Sequence, residues 1–415
     1  MDDAPWPLPA TWRWCRFDAI ARVASNLVNP AKFPDWPHIA PNHIESETGK
    51  LLPYNTIAHD GVTSSKHRFS AGQVLYSKIR PYLAKVVVAD FDGLCSADMY
   101  PIESELEARF LKWWMLSREF TRRAAGEQAR TVLPKINVSA LSGLPVPVPP
   151  VSEQRRIVEI LEDHLSRLDA AATNLELARQ RLRLLATSAT EALRIEALET
   201  GGDACLGSLA ITSGYGTSAK CVPDGPGPAV VRIPNLIGGT INLSDEKRIE
   251  EGSLDVSGLM LDPDDLLIVR TNGSRDLIGR TGVVQEGVQA AFASYLIRYK
   301  LDVGRVRPQW VHLMMQTPGS RRVLESMAAS SAGQYNLSLS KLDRVVVPVP
   351  ELDQQDRLLA RWGSIEKSVG RIREELGGLE VRRKALHRSL LTAAFAGRLT
   401  GRTGDDEVVE ELAGV

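Results

Sequence analysis

The sequence predicts an α+β protein with internal two-fold pseudosymmetry, in which two mixed α/β heads are joined by a long antiparallel two-helix coiled coil. Three observations predict it. The two halves of the 415-residue chain repeat one another. Each half begins with short β-like runs separated by turn residues. Each half ends in a long proline-free segment with the spacing of a coiled coil.

The repeat is clearest at a proline-rich joint. Residues 144–155 read LPVPVPPVSEQR and residues 345–356 read VVVPVPELDQQD, so Pro147 corresponds to Pro348 and Gln154 to Gln355, 201 positions later. Four shorter matches keep the same order: INVSAL at 136–141 with LSLSKL at 337–342, IAPNHI at 39–44 with IPNLI at 233–237, GQVLYSKIR at 72–80 with DDLLIVRTN at 264–272, and FLKWWM at 110–115 with WVHLMM at 310–315. This shared order indicates an internal duplication.

The two segments that follow the joints, 151–194 and 352–395, are predicted to be helices with Ser152 and Asp353 as N-caps. Mostly apolar or small residues recur along each in a 3-4 alternation, which is the seam of a coiled coil. The first seam consists of Leu161, His164, Leu168, Ala171, Leu175, Ala178, Leu182, Leu185, Ala189 and Ala192. The second consists of Trp362, Ile365, Val369, Ile372, Leu376, Leu379, Arg383, Leu386, Leu390 and Ala393.

The two seams differ in size, because Ala171 and Ala178 of the first correspond to Ile372 and Leu379 of the second. Large residues of one seam can fill the space beside small residues of the other. We therefore expect the helices to pair with each other. Connectivity makes the pair antiparallel, since the second helix must run back along the first, and this predicts two heads held apart by a rigid strut. The alternative is that each helix packs on its own head as an ordinary amphipathic helix.

Each head is predicted to be a mixed α+β domain. The runs VLYSKI, KVVVADF, LLIVR, GVVQ and SYLIRY are typical of strands, and short helices are expected at 106–125 and 308–328. The predicted domains are a first head at 1–146, a first joint and helix at 147–198, a second head at 199–347, a second joint and helix at 348–401, and an acidic tail at 402–415.

The charge balance is neutral, with 50 Lys+Arg against 51 Asp+Glu, which excludes a globally basic nucleic-acid-binding surface but allows a local one. Basic residues of the heads often lie in loops beside hydrogen-bonding residues. This set comprises Ser65, Lys66, Lys78, Arg80, Arg130, Thr131, Arg270, Asn272, Arg275 and Arg280. Such loops suit contacts to DNA bases and phosphates, and ordinary solvated loops have the same composition.

The sequence lacks the motifs of several classes of enzyme. The sequence has no G-x-x-x-x-G-K-[ST] phosphate-binding loop, no G-x-S-x-G or H-E-x-x-H motif, and no N-P-P-[FY] or D-P-P-[FY] tetrapeptide of DNA amino-methyltransferases. The 4 cysteines and 7 histidines show no metal-ligand spacing. Neither a signal peptide nor a membrane-spanning window is evident. We therefore expect a reduced, cytoplasmic chain that recognises or scaffolds, with no catalytic residue and no metal site of its own.

The order of variable head, LPVPVPPVSEQRRIVEILE joint and heptad helix, present twice, resembles the specificity subunit of type I restriction–modification systems. The family pattern P-x-P-P-x-x-E-Q-x-x-I occurs at 147–157, and its second copy has Glu351 for the second proline and Gln354 for the glutamate. SLLTAAFAGRLTG at 389–401 is similar to the family's distal helix. SGYGTSAK at 213–220 and GQYNLSLSKL at 333–342 resemble the opening and close of a target recognition domain. Four further candidate DNA contacts lie in these two segments: Tyr215, Lys220, Gln334 and Asn336.

The resemblance implies that the heads are target recognition domains, each reading one half of a bipartite, gapped site in double-stranded DNA. The helices would set the gap and dock two modification (methyltransferase) subunits, and restriction (helicase–nuclease) subunits would join them. This chain would bind no cofactor, because S-adenosylmethionine, ATP and Mg belong to the partner subunits. The assembled complex would be an adenine-specific DNA methyltransferase and endonuclease that acts in phage defence.

Two other classes of function are open at this point. A non-enzymatic coiled-coil adaptor with two protein-binding heads would have the same architecture, and it would leave no DNA footprint in any complex. A self-sufficient DNA enzyme is disfavoured by the absent motifs.

Overall fold

The computed structural model describes residues 4–126, 134–250, 256–331 and 333–400. The chain divides into two compact units: unit 1 is Met1–Glu176 with Gly377–Val415, and unit 2 is Leu177–Leu376. Each unit therefore holds one head together with one end of each long helix.

Unit 1 contains three sheets in its described residues, with strand orders β1-β11, β2-β10-β7-β8 and β3-β6-β9-β4-β5. Its strands are β1 (Arg13–Arg16), β2 (Ala21–Val23), β3 (Leu27–Val28), β4 (Pro37–Ile39), β5 (Asn55–Thr56), β6 (Lys66–Phe69), β7 (Val74–Ser77), β8 (Val86–Val88), β9 (Gly93–Cys95), β10 (Met99–Ser104) and β11 (Pro145–Val148). Its helices are α1 (Ile57–Asp60), α2 (Ala108–Leu116), α3 (Arg118–Gly126), α4 (Val138–Gly143) and the first part of the long helix α5 (Val151–Thr200).

Unit 2 contains four sheets in its described residues, with strand orders β12-β26, β13-β23-β19-β21-β17-β16, β14-β18-β15-β22 and β20-β25-β24. Its strands are β12 (Gly202–Cys205), β13 (Ala210–Tyr215), β14 (Cys221–Val222), β15 (Ala229–Val231), β16 (Leu236–Ile237), β17 (Thr240–Ile241), β18 (Lys247–Ile249), β19 (Leu266–Val269), β20 (Thr271–Asn272), β21 (Thr281–Val283), β22 (Ala290–Phe292), β23 (Leu296–Leu301), β24 (Ala329–Ser331), β25 (Gln334–Asn336) and β26 (Val346–Val349). Its helices are α6 (Pro308–Gln316), α7 (Pro318–Met327), α8 (Leu339–Leu342) and the first part of the long helix α9 (Leu352–Phe395).

The two units share a plan, as the repeat predicts. The order β2-β10-β7-β8 in unit 1 corresponds to β13-β23-β19-β21 in unit 2, and β1-β11 corresponds to β12-β26. The parallel pair β4 and β9 corresponds to the parallel pair β15 and β22. The α+β fold class and the strand runs named from the sequence are confirmed.

The helices expected at 106–125 and 308–328 are each two helices. Ser117 breaks the first and Thr317 the second, and both residues are extended and buried. The hydroxyl of Ser117 accepts a hydrogen bond from the Phe120 amide at 3.3 Å, and that of Thr317 from the Ser320 amide at 3.4 Å. A hydroxyl that caps a new helix competes with continuation of the old one, which explains the break that hydrophobic periodicity did not reveal.

A buried glutamine ties the start of each long helix to its own head. The side chain of Gln154 donates to the Pro149 carbonyl at 3.0 Å and accepts from the Glu107 amide at 2.9 Å. In the repeat, Gln355 donates to the Pro350 carbonyl at 2.7 Å and accepts from the Arg307 amide at 2.8 Å.

The partners of these glutamines explain why the residue recurs. Glu107 and Arg307 are the N-caps of α2 and α6, so each glutamine satisfies a backbone amide at a helix end that has no partner within the helix. The predicted N-caps Ser152 and Asp353 are wrong by two positions, because α5 starts at Val151 and α9 at Leu352, so that Pro150 and Glu351 precede the helices.

The long helices run antiparallel within each unit, as predicted. In unit 1, Leu161 near the start of α5 lies in one apolar core with Leu390 and Phe395 near the end of α9. In unit 2, Leu193 near the end of α5 lies in one core with Leu358 of α9. An ion pair of 2.7 Å between Arg361 and Glu196 joins the same two helix ends.

The predicted seam is wrong in the last third of α5 and in the middle of α9, and it is correct at several positions elsewhere in each helix. Leu161, His164, Leu182, Val369 and Leu390 are buried, as expected for seam residues. Four other seam residues are exposed: Leu185, Ala192, Ile372 and Leu379. The large-against-small complementarity that Ile372 and Leu379 were expected to supply is therefore absent.

In α5 the reason is the mismatch between helix pitch and heptad. A straight helix has 3.6 residues per turn and drifts about 20° per heptad relative to a strict 3.5-residue repeat. In α5 the buried positions continue from Leu182 to Leu193 and Ala197, eleven and then four residues later. The core of unit 2, which includes Leu193 and Ala197, selects this face.

A second buried polar network lies in unit 2. The amide of Gln316 donates to the Thr281 hydroxyl at 3.1 Å, and that hydroxyl lies 2.6 Å from Nδ1 of His312. Since Thr281 accepts from Gln316, its hydrogen is free to donate to an unprotonated Nδ1. Burial lowers the pKa of His312 to about 4, so the imidazole is neutral at pH 7.

Replacement of Gln355 by leucine should destabilise the chain by about 2 to 4 kcal/mol, because it leaves a buried amide and a buried carbonyl without partners. The measurement is urea-induced unfolding of the full chain. The control is Gln354→Leu, since Gln354 is less buried and bonds the exposed Thr200. Equal unfolding free energies of the two variants would contradict the attachment of α9 to its head through Gln355.

Acid should destabilise the chain through His312. Its folded pKa of about 4 lies below the ordinary value of 6.5, so between these values the unfolded chain binds more protons. This contribution to the unfolding free energy is complete above pH 6.5 and falls by up to about 3 kcal/mol as the pH drops to 4. We expect His312→Gln to reduce the dependence of the unfolding free energy on pH between pH 6.5 and 4. The control His59→Gln, at an exposed position, should keep the wild-type dependence. A wild-type slope in His312→Gln would exclude this assignment.

Candidate nucleic-acid interface

Unit 2 contains a cavity of about 490 Å³ where several of its strands begin or end. Two guanidinium groups, two side-chain amides and a tyrosine surround an apolar floor. The lining residues are Arg232, Ile233, Pro234, Thr271, Asn272, Gly273, Leu277, Arg280, Tyr295 and Gln334. Three of the sequence-predicted contacts, Asn272, Arg280 and Gln334, thus come together.

Arg270, a fourth predicted residue, follows the central strand β19 beside this cavity. Its backbone amide donates to the Tyr295 carbonyl at 3.0 Å, and its carbonyl accepts from the Leu337 amide at 2.7 Å. These two bonds hold Arg270 between the loop before β23 and the segment after β25.

Both terminal nitrogens of the Arg270 side chain donate to the protein. Its guanidinium donates to the Ser294 carbonyl at 3.3 Å and to Oδ1 of Asn336 at 3.1 Å. It also lies 4.9 Å from the ring centroid of Tyr215, a cation–π distance. Tyr215 in turn accepts from the Leu339 amide at 3.1 Å, so Arg270, Tyr215 and Asn336 form one connected group.

A small β-ribbon presents the two amides. Strand β20 pairs with β25 in the register Thr271 to Asn336 and Asn272 to Tyr335. Oδ1 of Asn272 accepts from the Ser274 amide at 2.7 Å, which orients the side chain. Gln334 is exposed at the other strand.

Sequence reasoning missed Arg232 and Tyr295 of this cavity. Arg232 directly follows β15 and donates to the carbonyl of Asp245 at 2.6 Å and to its carboxylate at 3.1 Å. Tyr295 is 55% exposed. The other loop cations were selected because a Ser, Thr or Asn stands beside them. Arg232 has no such neighbour, although it immediately precedes the repeated IPNLI motif.

The remaining predicted residues of unit 2 do not line the cavity. Lys220 forms an ion pair of 3.0 Å with Glu250. Arg275 donates to the Glu325 carbonyl at 3.2 Å. Both cations are exposed, yet both already have partners within the protein.

In unit 1, Lys78 occupies the position that Arg270 has in unit 2. It follows β7, its amide donates to the Asp98 carbonyl at 3.0 Å, and its carbonyl accepts from the Ile136 amide at 2.9 Å. Nζ of Lys78 lies 5.2 Å from the ring centroid of Tyr100. Arg80 is exposed nearby, with a left-handed backbone at φ +48°.

The other predicted residues of unit 1 form no single surface with Lys78. Ser65 is exposed, but Lys66 is only 5% exposed and donates to the backbone carbonyl and the hydroxyl of Ser64. Burial lowers the pKa of Lys66. The prediction of Lys66 as a free surface cation is therefore wrong. Arg130 and Thr131 lie outside the described residues.

Within the described ranges, no group of three His, Cys, Asp or Glu side chains could hold a metal ion. No helix in that part of the chain is both long and apolar enough to cross a membrane. The polar side chains that line the unit 2 cavity are guanidinium, amide and hydroxyl groups, which suit recognition of an anionic or base-like ligand.

Comparison with known proteins finds similarity to one family. The model of the type I restriction modification DNA specificity domain matches residues 34–178. Over 181 residues the chain is 51% identical to the specificity subunit of the type I restriction enzyme EcoDI from Escherichia coli, a match covering 44% of this chain and 41% of that protein. It is also 22% identical over 397 residues to the StySPI specificity subunit from Salmonella potsdam, covering 93% of this chain and 83% of that one.

A solved structure supports the fold over nearly the whole chain. It belongs to a study of complex assembly and conformational transition of the type I R-M system. The TM-score is 0.78 at 21% sequence identity, with 95% of this chain and 100% of that chain covered. The likeness confirms the arrangement of two mixed-sheet domains with two long helices packed together.

Proposed function

Because the chain belongs to the family of type I restriction–modification specificity subunits, we propose that its two units each read one half of a bipartite, gapped site in double-stranded DNA. Specificity subunits are the non-catalytic component of type I enzymes, and they determine where on DNA the enzyme acts. The observation that carries the proposal is the plan that the two units share. Lys78 and Arg270 occupy equivalent positions in this plan, and the residues around them differ.

The side chains of the unit 2 cavity support DNA reading. Arginine binds the O6 and N7 acceptors of guanine, and asparagine or glutamine binds N6 and N7 of adenine. Arg280, Asn272 and Gln334 supply these groups around one cavity. The other predicted contacts are candidates for phosphate contacts, which position a protein without reading sequence.

The differences between the units support two unlike half-sites. Where unit 2 has an arginine over Tyr215, unit 1 has a lysine over Tyr100. Lysine and arginine are not equivalent, because only arginine presents a planar fork of donors, which Arg270 uses on Ser294 and Asn336. A duplicated scaffold whose equivalent positions carry different residues is suited to an asymmetric site.

The long helices are proposed to set the gap and to dock two modification subunits. Both helices carry large apolar side chains that are exposed in the isolated chain, as expected of a protein-docking surface. In unit 2 they include Leu184, Leu185, Ile195, Leu198 and Ile372, which are 38–59% exposed. In unit 1 they include Leu379 and Val381, at 48% and 67%.

Partner subunits also account for the neutral charge of this chain. Non-specific affinity for DNA comes from neutralised phosphates. With 50 Lys+Arg against 51 Asp+Glu, this chain supplies little of it. We propose that the modification subunits supply most phosphate contacts together with S-adenosylmethionine, and that restriction subunits supply ATP- and Mg-dependent cleavage.

The test is co-expression of the chain with its methyltransferase partner in a host that lacks adenine methylation, followed by single-molecule sequencing. We expect methylated adenine in a motif of two unlike halves with a fixed gap, and weak DNA binding by the chain alone. The control is the partner expressed without this chain, which should give no motif. A continuous motif, or none, would contradict the proposal, and a stable complex without any DNA footprint would favour a protein-binding adaptor.

A further inference from the structure

We infer that Arg280 reads a guanine in the half-site recognised by unit 2, through a two-pronged contact to O6 and N7 of that base. The inference rests on the proposed function and adds to it a specific residue and a specific base. The inference rests on the hydrogen bonds of the three arginines at the cavity. The side chains of Arg232 and Arg270 already donate to other groups of the protein.

A two-pronged guanine contact needs two N–H donors of one guanidinium that face the same way and are free. Arg232 uses one end of its fork on Asp245. Arg270 uses both terminal nitrogens on Ser294 and Asn336. These two arginines are therefore held as parts of the wall.

Arg280 differs from both. It lines the cavity and is exposed, and its side chain has no hydrogen-bond or ion-pair partner among the described residues. Its backbone is nevertheless firmly held, because its amide donates to the Leu277 carbonyl at 3.1 Å and its carbonyl accepts from the Val269 amide at 2.8 Å. The fixed backbone sets the point from which the side chain extends, and the unpaired guanidinium keeps its donors available to a ligand in the cavity.

The surroundings of Arg280 favour a base over a phosphate. Phosphate oxygens only accept hydrogen bonds, whereas the amides of Asn272 and Gln334 both donate and accept. Such a mixed set matches the edges of base pairs in the major groove. The apolar floor of Ile233, Pro234 and Leu277 lowers the local dielectric and strengthens a hydrogen bond to a neutral acceptor.

The experiment compares the methylated motifs produced by three variants, Arg280→Ala, Arg280→Lys and Arg305→Ala, each co-expressed with the methyltransferase partner. We expect both Arg280 variants to methylate sites in which one guanine of one half is replaced, with discrimination at that position relaxed about 10- to 100-fold. Lysine keeps the charge but lacks the fork, so it should not restore the preference. Arg305→Ala, which removes an exposed arginine of unit 2 that donates to the Ser208 carbonyl and is no candidate DNA contact, should keep the wild-type motif.

The possible failures are distinguishable. If the wild-type chain gives no bipartite motif, the proposed function is wrong. If the wild-type motif is bipartite and both Arg280 variants retain it unchanged, only the inference fails. Methylation that falls evenly over all sites in Arg280→Ala and recovers in Arg280→Lys would identify a phosphate contact and overturn base reading. Co-purification of each variant with the partner subunit shows that it is folded.

Discussion

The attachment of each long helix to its own head depends on one buried glutamine side chain. Gln154 and Gln355 are 2% and 0% exposed, and each bridges the joint before a long helix to the N-cap of a head helix. A buried amide with both ends bonded tolerates little movement, because a shift would leave a backbone group without a partner. The head cannot rotate on its helix without breaking these bonds.

This attachment leaves the reading surface free to vary. The glutamine, the joint strands β11 and β26, and the central strands β7 and β19 recur in both units. Lys78 and Arg270 then emerge at equivalent points, although the loops around them have different lengths and side chains. Under the proposed function, duplication of this attachment with divergence of the loops would give one chain two reading heads, without the symmetric site that an identical pair would require.

The sequence predicts much of this fold, because the repeat depends on short motifs with local causes, such as the joint that carries Gln154. It does not predict the phase of the helix seam, since the core of each unit selects which face is buried, and Leu185 is exposed as a result. For the site, loop composition singled out Asn272 and Arg280, the family resemblance singled out Gln334, and the fold brings the three to one cavity. It could not reveal that Lys66 turns back on Ser64 or that Arg232 completes the cavity, because both depend on contacts formed only in the folded chain.

The central claim is that heads fixed to long helices measure the gap between half-sites. Arg179 of α5 donates to the Leu376 carbonyl of α9 at 3.4 Å, so matched insertions of seven residues after these two positions would lengthen both helices together. The added length is about 10 Å, with a rotation of only about 20°. Sequencing of methylated DNA should then show both half-sites unchanged and the gap longer by up to about three base pairs. An unchanged gap with full methylation would contradict the account, and insertion in α5 alone should abolish methylation.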